Sequence, residues 1–508
     1  MSFFVLTLTS SLLGAFGVLG LSKIPRMRPY IRYIALMTAG SSALLVVLLG
    51  WIEPSTATLS VWQPSLLFGT GLLLRVDPIL QPLGIILALV NCCAILVTLD
   101  RVEKSRPRFL AMIQLLLPAG LMALWSANVL TMLVAWALYD LLQALSYIVA
   151  IGSARWAIKS LVFGYLATLL LWIGTLISDR APDSGLWTLM NPTIAQTTLW
   201  TLAGMIRLWM FPFHLAAPGE MTFDSPLAAP LFLGPVLGWG LWIRLMTISG
   251  VILPEWVQTL AALNIAVGGW LAWTCKSTRN ILSWVGLTVN GAILLASCLV
   301  DQNGGMIAVA GAVSWMLGIT VLLLGQSHRG KSPWWSVPSF ISGLTLIGLP
   351  FTLGFVTTSV LADRLIGGEL EIGAVKLWSA FFGSLFFTPA LARWIWTSAG
   401  APAAVSEAPV GPAEEVSSKD TEEDTEPDED APDSVLFSWL AAVFQRMPVP
   451  IIGRALGMGI PAALIVLGGI YPSLLVRDAD PLWVLFQRPG GIGWILWGIS
   501  LLCGGGLA

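Results

Sequence analysis

The sequence predicts an all-α integral membrane protein with 14 or 15 transmembrane helices, in two inverted five-helix repeats that each contain a broken helix. Three features lead there: composition, the spacing of the apolar runs, and the placement of two proline-bearing breaks. Of 508 residues, 56% are hydrophobic and 11% charged, with 25 tryptophans. A soluble domain carries about 25% charged residues, so most of this surface is suited to lipid.

A spanning helix needs about 20 apolar residues. Such runs recur at about 3–22, 32–51, 79–99, 109–125, 127–150, 158–178, 194–213, 226–249, 255–274, 280–300, 305–326, 337–362, 376–396, 455–475 and 490–506. The last is the least regular, because Gly490, Gly491 and Gly493 open it. The first run has no basic residue before it and a basic cluster after it, the reverse of a cleavable signal, so it is expected to remain as the first helix.

Lys and Arg in short loops favour the cytoplasmic side. Alternate loops carry Lys23, Arg26, Arg28, Arg32, Arg101, Lys104, Arg106, Arg108, Arg155, Lys159, Lys276, Arg279, Arg329 and Lys331, while the intervening loops carry only Arg75, Arg180, Arg364 and Lys376. The N-terminus is therefore expected outside, in a bacterial inner (cell) membrane. Between Glu407 and Asp433 lie 12 of the 28 acidic residues with Lys419 as the single base. Segment 400–434 is read as a disordered cytoplasmic loop, and 435–447 as a short interfacial helix.

The expected organisation is helices one to three over 1–108, a first five-helix block over 109–250, a second over 251–399, the acidic loop 400–434, and C-terminal helices over 435–508. Proline removes a backbone donor and clashes with the preceding turn. Phe211-Pro212-Phe213-His214 interrupts the seventh helix and Gly348-Leu349-Pro350 through Gly354 the twelfth, the fourth helix of each block. A five-helix block repeated directly must reverse its orientation, and discontinuous helices in inverted repeats mark ion paths in many transporters.

Arg207-Leu208-Trp209-Met210-Phe211-Pro212-Phe213-His214 resembles the K-x-x-x-F-P-F-H motif of the antiporter-like membrane subunits shared by complex I (NADH:quinone oxidoreductase chains L, M and N), Mrp-type antiporters and membrane-bound hydrogenases. Arg75-Val76-Asp77, Ala157-Ile158-Lys159 through Gly164, Arg279-Asn280-Ile281-Leu282-Ser283 and Gly348-Leu349-Pro350 through Phe355 are similar to further motifs of that family. The resemblance covers about residues 70–396. It implies a non-catalytic membrane-arm subunit of an NADH dehydrogenase-like quinone oxidoreductase in respiratory or photosynthetic electron transport, packed beside other membrane-arm subunits and lipid. The alternative is a stand-alone or two-component transporter subunit for ions, protons or inorganic carbon.

The residues that would move protons depart from the family pattern. Trp136-Ala137 stands where the family has W-E, with Asp140 three residues on; the seventh-helix lysine is Arg207; and Thr358 replaces the Lys or Glu after G-F. The eleventh helix contains no ionisable residue. The proton path is thus expected to be degenerate and the role structural.

Charges at membrane depth are costly and mark ion pathways unless they are paired. The candidates are Asp140, Arg207, Lys159, His214 and Arg244, either as a proton path or as a buried ion pair. Arg207 keeps its charge at any realistic pH, so it holds a partner or a water chain but cannot carry a proton. Asp140 is expected to pair with it. His214 has an unperturbed titration range near neutrality, and Lys159 is equally suited to snorkelling at the interface. Glu220 and Asp224 read as solvated loop acids. The five cysteines have no CxxC or metal-type spacing, and no phosphate-binding, dinucleotide or zinc signature occurs. No catalytic residue, cofactor, metal or nucleic-acid partner is expected.

Overall fold

In lipid every backbone amide and carbonyl must find a partner within the protein, which leaves helices as the economical solution for this sequence. The computed structural model describes residues 2–51, 56–59, 71–99, 107–177, 186–187, 190, 192–218, 226–248, 251, 253–275, 281–300, 303–326, 336–367, 374–400, 449–476, 479–488, 494–495, 498–499 and 502. The acidic loop beyond residue 400, the expected interfacial helix at 435–447, Glu220 and Asp224 lie outside the described residues.

The helices are α1 (Ser2–Leu21), α2 (Ile31–Leu49), α3 (Gln81–Thr98), α4 (Pro107–Leu124), α5 (Val129–Ile151), α6 (Ala154–Leu176), α7 (Ile194–Arg207), α8 (Pro235–Thr247), α9 (Glu255–Thr274), α10 (Ile281–Cys298), α11 (Gly304–Gln326), α12 (Ser336–Ile347), α13 (Phe355–Ala362), α14 (Ala374–Gly400), α15 (Val449–Ile470) and α16 (Leu482–Gln487). Eleven helical segments among the described residues are long and apolar enough to cross a membrane. The protein is a multi-pass membrane protein. With α7, α9 and the α12–α13 pair, the series read from the sequence reaches fourteen. Most of the expected fifteenth run lies outside the described residues.

Two departures from regular helix have local causes. The eighth run starts as a 3-10 segment, Pro226–Leu233, and becomes α8 only from Pro235; Pro230 lacks the amide that an α-helical bond requires. Between α2 and α3, strands β1 (Thr56–Leu59) and β2 (Leu72–Arg75) pair antiparallel, Thr56 opposite Arg75. The Leu73 carbonyl accepts from Ala127 N and Trp125 O from Arg75 N, which ties the ribbon to the α4–α5 turn.

Burial sorts the helices into centre and rim. The Pro226–Thr247 span and α11 are buried except for a few residues near their ends, whereas most of α2 and of α6 is half-buried or exposed. A helix apolar on every side suits a buried position, and α11 carries no charge to expose. Small residues bring backbones into contact where packing, rather than water exclusion, must hold helices together. A Cβ on Gly269 of α9 would lie 2.2 Å from the Gly383 carbonyl oxygen of α14, and one on Gly383 would lie 2.4 Å from Ile265 O. Likewise Gly453 and Gly457 seat α15 against the Leu96 and Cys93 carbonyls of α3.

Candidate functional site

The site forms where α7 stops. Thr193 opens α7 with a capping box, its hydroxyl accepting from Gln196 N while the Gln196 side chain accepts from Thr193 N. Fourteen residues later the helix leaves through a Schellman turn. Trp209 N donates to Ile206 O at 3.2 Å and Met210 N to Met205 O at 3.1 Å, with Trp209 in the left-handed region at φ 56°. The Phe211–Pro212 peptide is cis, and the chain continues as a 3-10 turn, Phe213–Ala216.

Two asparagines from later helices satisfy the freed backbone. Asn264 Oδ1 of α9 accepts from Phe211 N at 2.6 Å, and Asn290 Nδ2 of α10 donates to Leu208 O at 3.0 Å. Both are fully buried. Neither was singled out from the sequence, although an Asn inside an apolar helix is itself the signal.

Ending α7 at Arg207 points its guanidinium across to α5 and α6. Nη1 donates to Asp140 Oδ1 at 2.5 Å and Nη2 to Asp140 Oδ2 at 2.7 Å, with side chains 5% and 1% exposed. Nη2 also reaches Gly164 O at 3.3 Å and Thr168 Oγ1 at 3.1 Å, and the guanidinium carbon lies 4.2 Å from the Trp136 ring centroid. Two parallel N–H···O bonds fix both orientation and distance. Gly164 makes the approach possible, since a Cβ there would lie 2.4 Å from Asp140 Cγ.

Beside the pair is a polar cavity of about 30 Å3, also lined by Gln143, Tyr147 and Ser160. That is room for about two waters at 10–15 Å3 each. Gln143 accepts from Ser160 Oγ at 3.0 Å and donates to Leu231 O at 3.0 Å, linking α5 to α6 and to the 3-10 segment. Gln143, Thr168 and Gly164 complete the surroundings of the pair that the sequence reading had centred on charges alone.

The other candidates lie elsewhere. Lys159, half-buried on α6, places its ammonium 4.7 Å from the Trp156 ring centroid, and Ser160 rather than Lys159 lines the cavity. His214 stacks on Phe211 at 5.5 Å and meets Trp284 at 5.3 Å. Arg244 is buried on α8, donates to Leu124 O at 2.5 Å and lies 5.8 Å from the Trp187 ring. Pro212 and Pro350 fall within the two interruptions. Among the described residues no group of three His, Cys, Asp or Glu is placed to hold a metal.

The second interruption repeats the geometry of the first. Gly348 N donates to Thr345 O and Leu349 N to Leu344 O, with Gly348 left-handed at φ 79°. Leu346 holds the position, two before the left-handed residue, that Arg207 holds in α7. Thr358 Oγ1 donates to Gly348 O at 2.7 Å, Thr345 Oγ1 accepts from Gly354 N, and Leu353 N donates to Ile465 O of α15.

Solved structures that share this fold come from large membrane assemblies. The archaeal membrane-bound sulfane sulfur reductase complex contains a chain matching 94% of this one at TM-score 0.70 and 19% identity, over 78% of its own length. A chain of the Thermus thermophilus respiratory complex I matches 92% of this one at TM-score 0.63 and 17% identity, over 98% of its length. One in the Mrp complex of a Dietzia species covers 99% at TM-score 0.74 and 14% identity, over 55% of its length. The chain shares the fold of these membrane-complex subunits. In sequence, the chain is 29% identical to NADH-ubiquinone oxidoreductase chain 2 of Oryctolagus cuniculus over 198 residues, 36% of the chain and 55% of that protein. It is 28% identical to the same chain of Peropteryx macrotis over 235 residues, 44% and 65%. It thus spans between half and two thirds of these curated relatives. No protein-family model matches it.

Proposed function

We propose that the protein is an antiporter-like membrane-arm subunit of a proton-translocating NADH:quinone oxidoreductase-type complex, in which the proton-carrying residues have given way to a fixed ion pair and the role is structural. The bidentate Asp140–Arg207 pair carries this reading. A guanidinium keeps its proton at any realistic pH, so a path through Arg207 has no group there to load and unload. The uncharged α11 and the Leu346 position of the second break support the same conclusion. The relatives named above support the partners: other subunits packed along the membrane, in lipid. The matching exits from α7 and α12 support two inverted five-helix blocks, 109–250 and 251–399. The basic loops support an N-terminus outside and residues 400–434 in the cytoplasm of a bacterial cell.

The test is to isolate the protein from native membranes under mild detergent and identify what accompanies it. Flavin- and iron–sulfur-bearing subunits are expected. A purified single chain that exchanges cations for protons in liposomes would establish a stand-alone transporter instead.

A further inference from the structure

α1 passes into α2 through a turn at 22–24 and a 3-10 segment, Pro25–Tyr30. Proline at 25 cannot donate the amide bond that a continuing helix needs, and the chain reverses here. The turn carries Lys23, Arg26 and Arg28, all exposed, with Ile24 47% exposed among them. A fourth cation, Arg32, is tied inward: its Nη1 donates to Leu99 O at the end of α3 at 3.2 Å, and its guanidinium carbon lies 5.5 Å from the Tyr33 ring centroid. Arg28 Nε donates to Ser22 O at 3.4 Å, which draws the turn together. Among the described residues, none of Lys23, Arg26 and Arg28 pairs with an acid. α4 starts on the same side, after the chain leaves Leu99, and its Arg108 is exposed as well.

Below these charges runs an apolar stripe. Leu13 is 69% and Phe16 64% exposed, and the exposed Gly20 continues the row at helical spacing up to Lys23. No atom lies within 4 Å of the place a Cβ would take on Gly17 or Gly20, so the helix surface dips just before the turn. From Lys23 back to Leu13 is about 15 Å at 1.5 Å per residue, half of a hydrocarbon core of about 30 Å. The exposed stripe is thus one leaflet deep, with unneutralised cations at its outer end.

The occupant that matches both parts has an apolar body one leaflet long and net negative charge at the outer end. Guanidinium groups take phosphate oxygens through paired N–H bonds, and clusters of Lys and Arg beside a spanning helix attract anionic lipid. A zwitterionic lipid would bring its own cation to a turn that already has three. A soluble phosphate compound would leave the stripe uncovered. We propose that the α1–α2 turn and the adjoining face of α1 bind one anionic phospholipid, its phosphate held by Arg26 and Arg28, Lys23 beside the headgroup, and an acyl chain lying along Gly20, Phe16 and Leu13.

Native mass spectrometry of the full chain, released from detergent micelles, tests this by counting retained lipids. Phosphatidylglycerol and phosphatidylcholine of equal chain length are titrated in turn. One phosphatidylglycerol is expected to bind about tenfold or more tightly than phosphatidylcholine. Each cation removed should weaken that binding about fivefold. Lys23→Gln with Arg26→Gln and Arg28→Gln should therefore abolish the preference, while Arg155→Gln, which neutralises an exposed cation at the start of α6, leaves it unchanged. sn-Glycerol 3-phosphate at the same concentration should not displace the lipid; displacement would mean that phosphate alone is recognised and overturns a lipid site. The wild-type titration decides even if the triple variant fails to fold: equal retention of the two lipids would leave the cations to an acidic partner protein and overturns the proposal. A folded triple variant that keeps the preference overturns it as well.

Discussion

Replacing Asp140 by Ala would leave Arg207 in a site where its side chain is 5% exposed. The guanidinium cannot shed its charge, and it would retain only Gly164 O, Thr168 Oγ1 and the face of Trp136. Breaking a buried pair by removing one partner costs about 3–5 kcal/mol. Those three remaining contacts hold one nitrogen and one ring face and leave Nη1 bare, so the loss belongs in the upper half of that range. Arg207→Ala strands the carboxylate, which accepts from the two Arg207 nitrogens; it can escape by taking up a proton, and the loss should be smaller. Asp140→Leu with Arg207→Met removes both charges together and should recover most of the stability, because apolar replacements of a buried pair are often neutral or better. Unfolding free energies from SDS titration in mixed micelles, followed by tryptophan fluorescence, would give the three values. The decisive comparison is Asp140→Asn. If the amide variant is as stable and as well assembled as wild type while fewer protons move per electron, Asp140 is a working carrier and the structural role is wrong.

Gly164→Ala should cost about 1–3 kcal/mol by overpacking, because its Cβ meets the Asp140 carboxylate at 2.4 Å. The cost should nearly vanish in the Asp140→Ala background, a coupling that a double-mutant cycle measures. Asn264→Ala leaves the Phe211 amide without its acceptor and should cost about 1–3 kcal/mol in the same unfolding assay; an effect below a few tenths would mean that water replaces the asparagine. Cysteines placed singly at Ser417 and Ser184 should react with an impermeant thiol reagent from opposite sides of the membrane, and labelling from one side alone defeats the proposed orientation.

The helices were legible because lipid imposes both length and apolarity, which leaves a strong one-dimensional signal. The interruptions were legible at Pro212 and Pro350, though proline only says that a helix cannot continue. What ends each helix is a left-handed residue, and in the first case this is Trp209, whose identity gives no warning. Asp140 and Arg207 stood out as charges in apolar runs. Their bond depends on the close approach of α6 at Gly164, which the sequence marks only as the end of a motif, and on Thr168, a weakly polar residue with no local signature. Asn264 and Asn290 act on backbone atoms 53 and 82 residues away, a relation that no local pattern encodes. The short β1–β2 ribbon was hidden for a similar reason, since four-residue strands leave too little periodicity to separate from loop.

Those asparagines also bear on how the chain is made. Helices enter the bilayer in order from the ribosome, so α7 arrives before α9 and α10 exist. Until they do, the Phe211 amide and the Leu208 carbonyl lack the partners that Asn264 and Asn290 later provide. The segment through α8 therefore cannot reach its final form alone. A chain stopped after α8 would present an open backbone at the interruption, and quality-control proteases or chaperones of the membrane could read that gap as the mark of an unfinished protein.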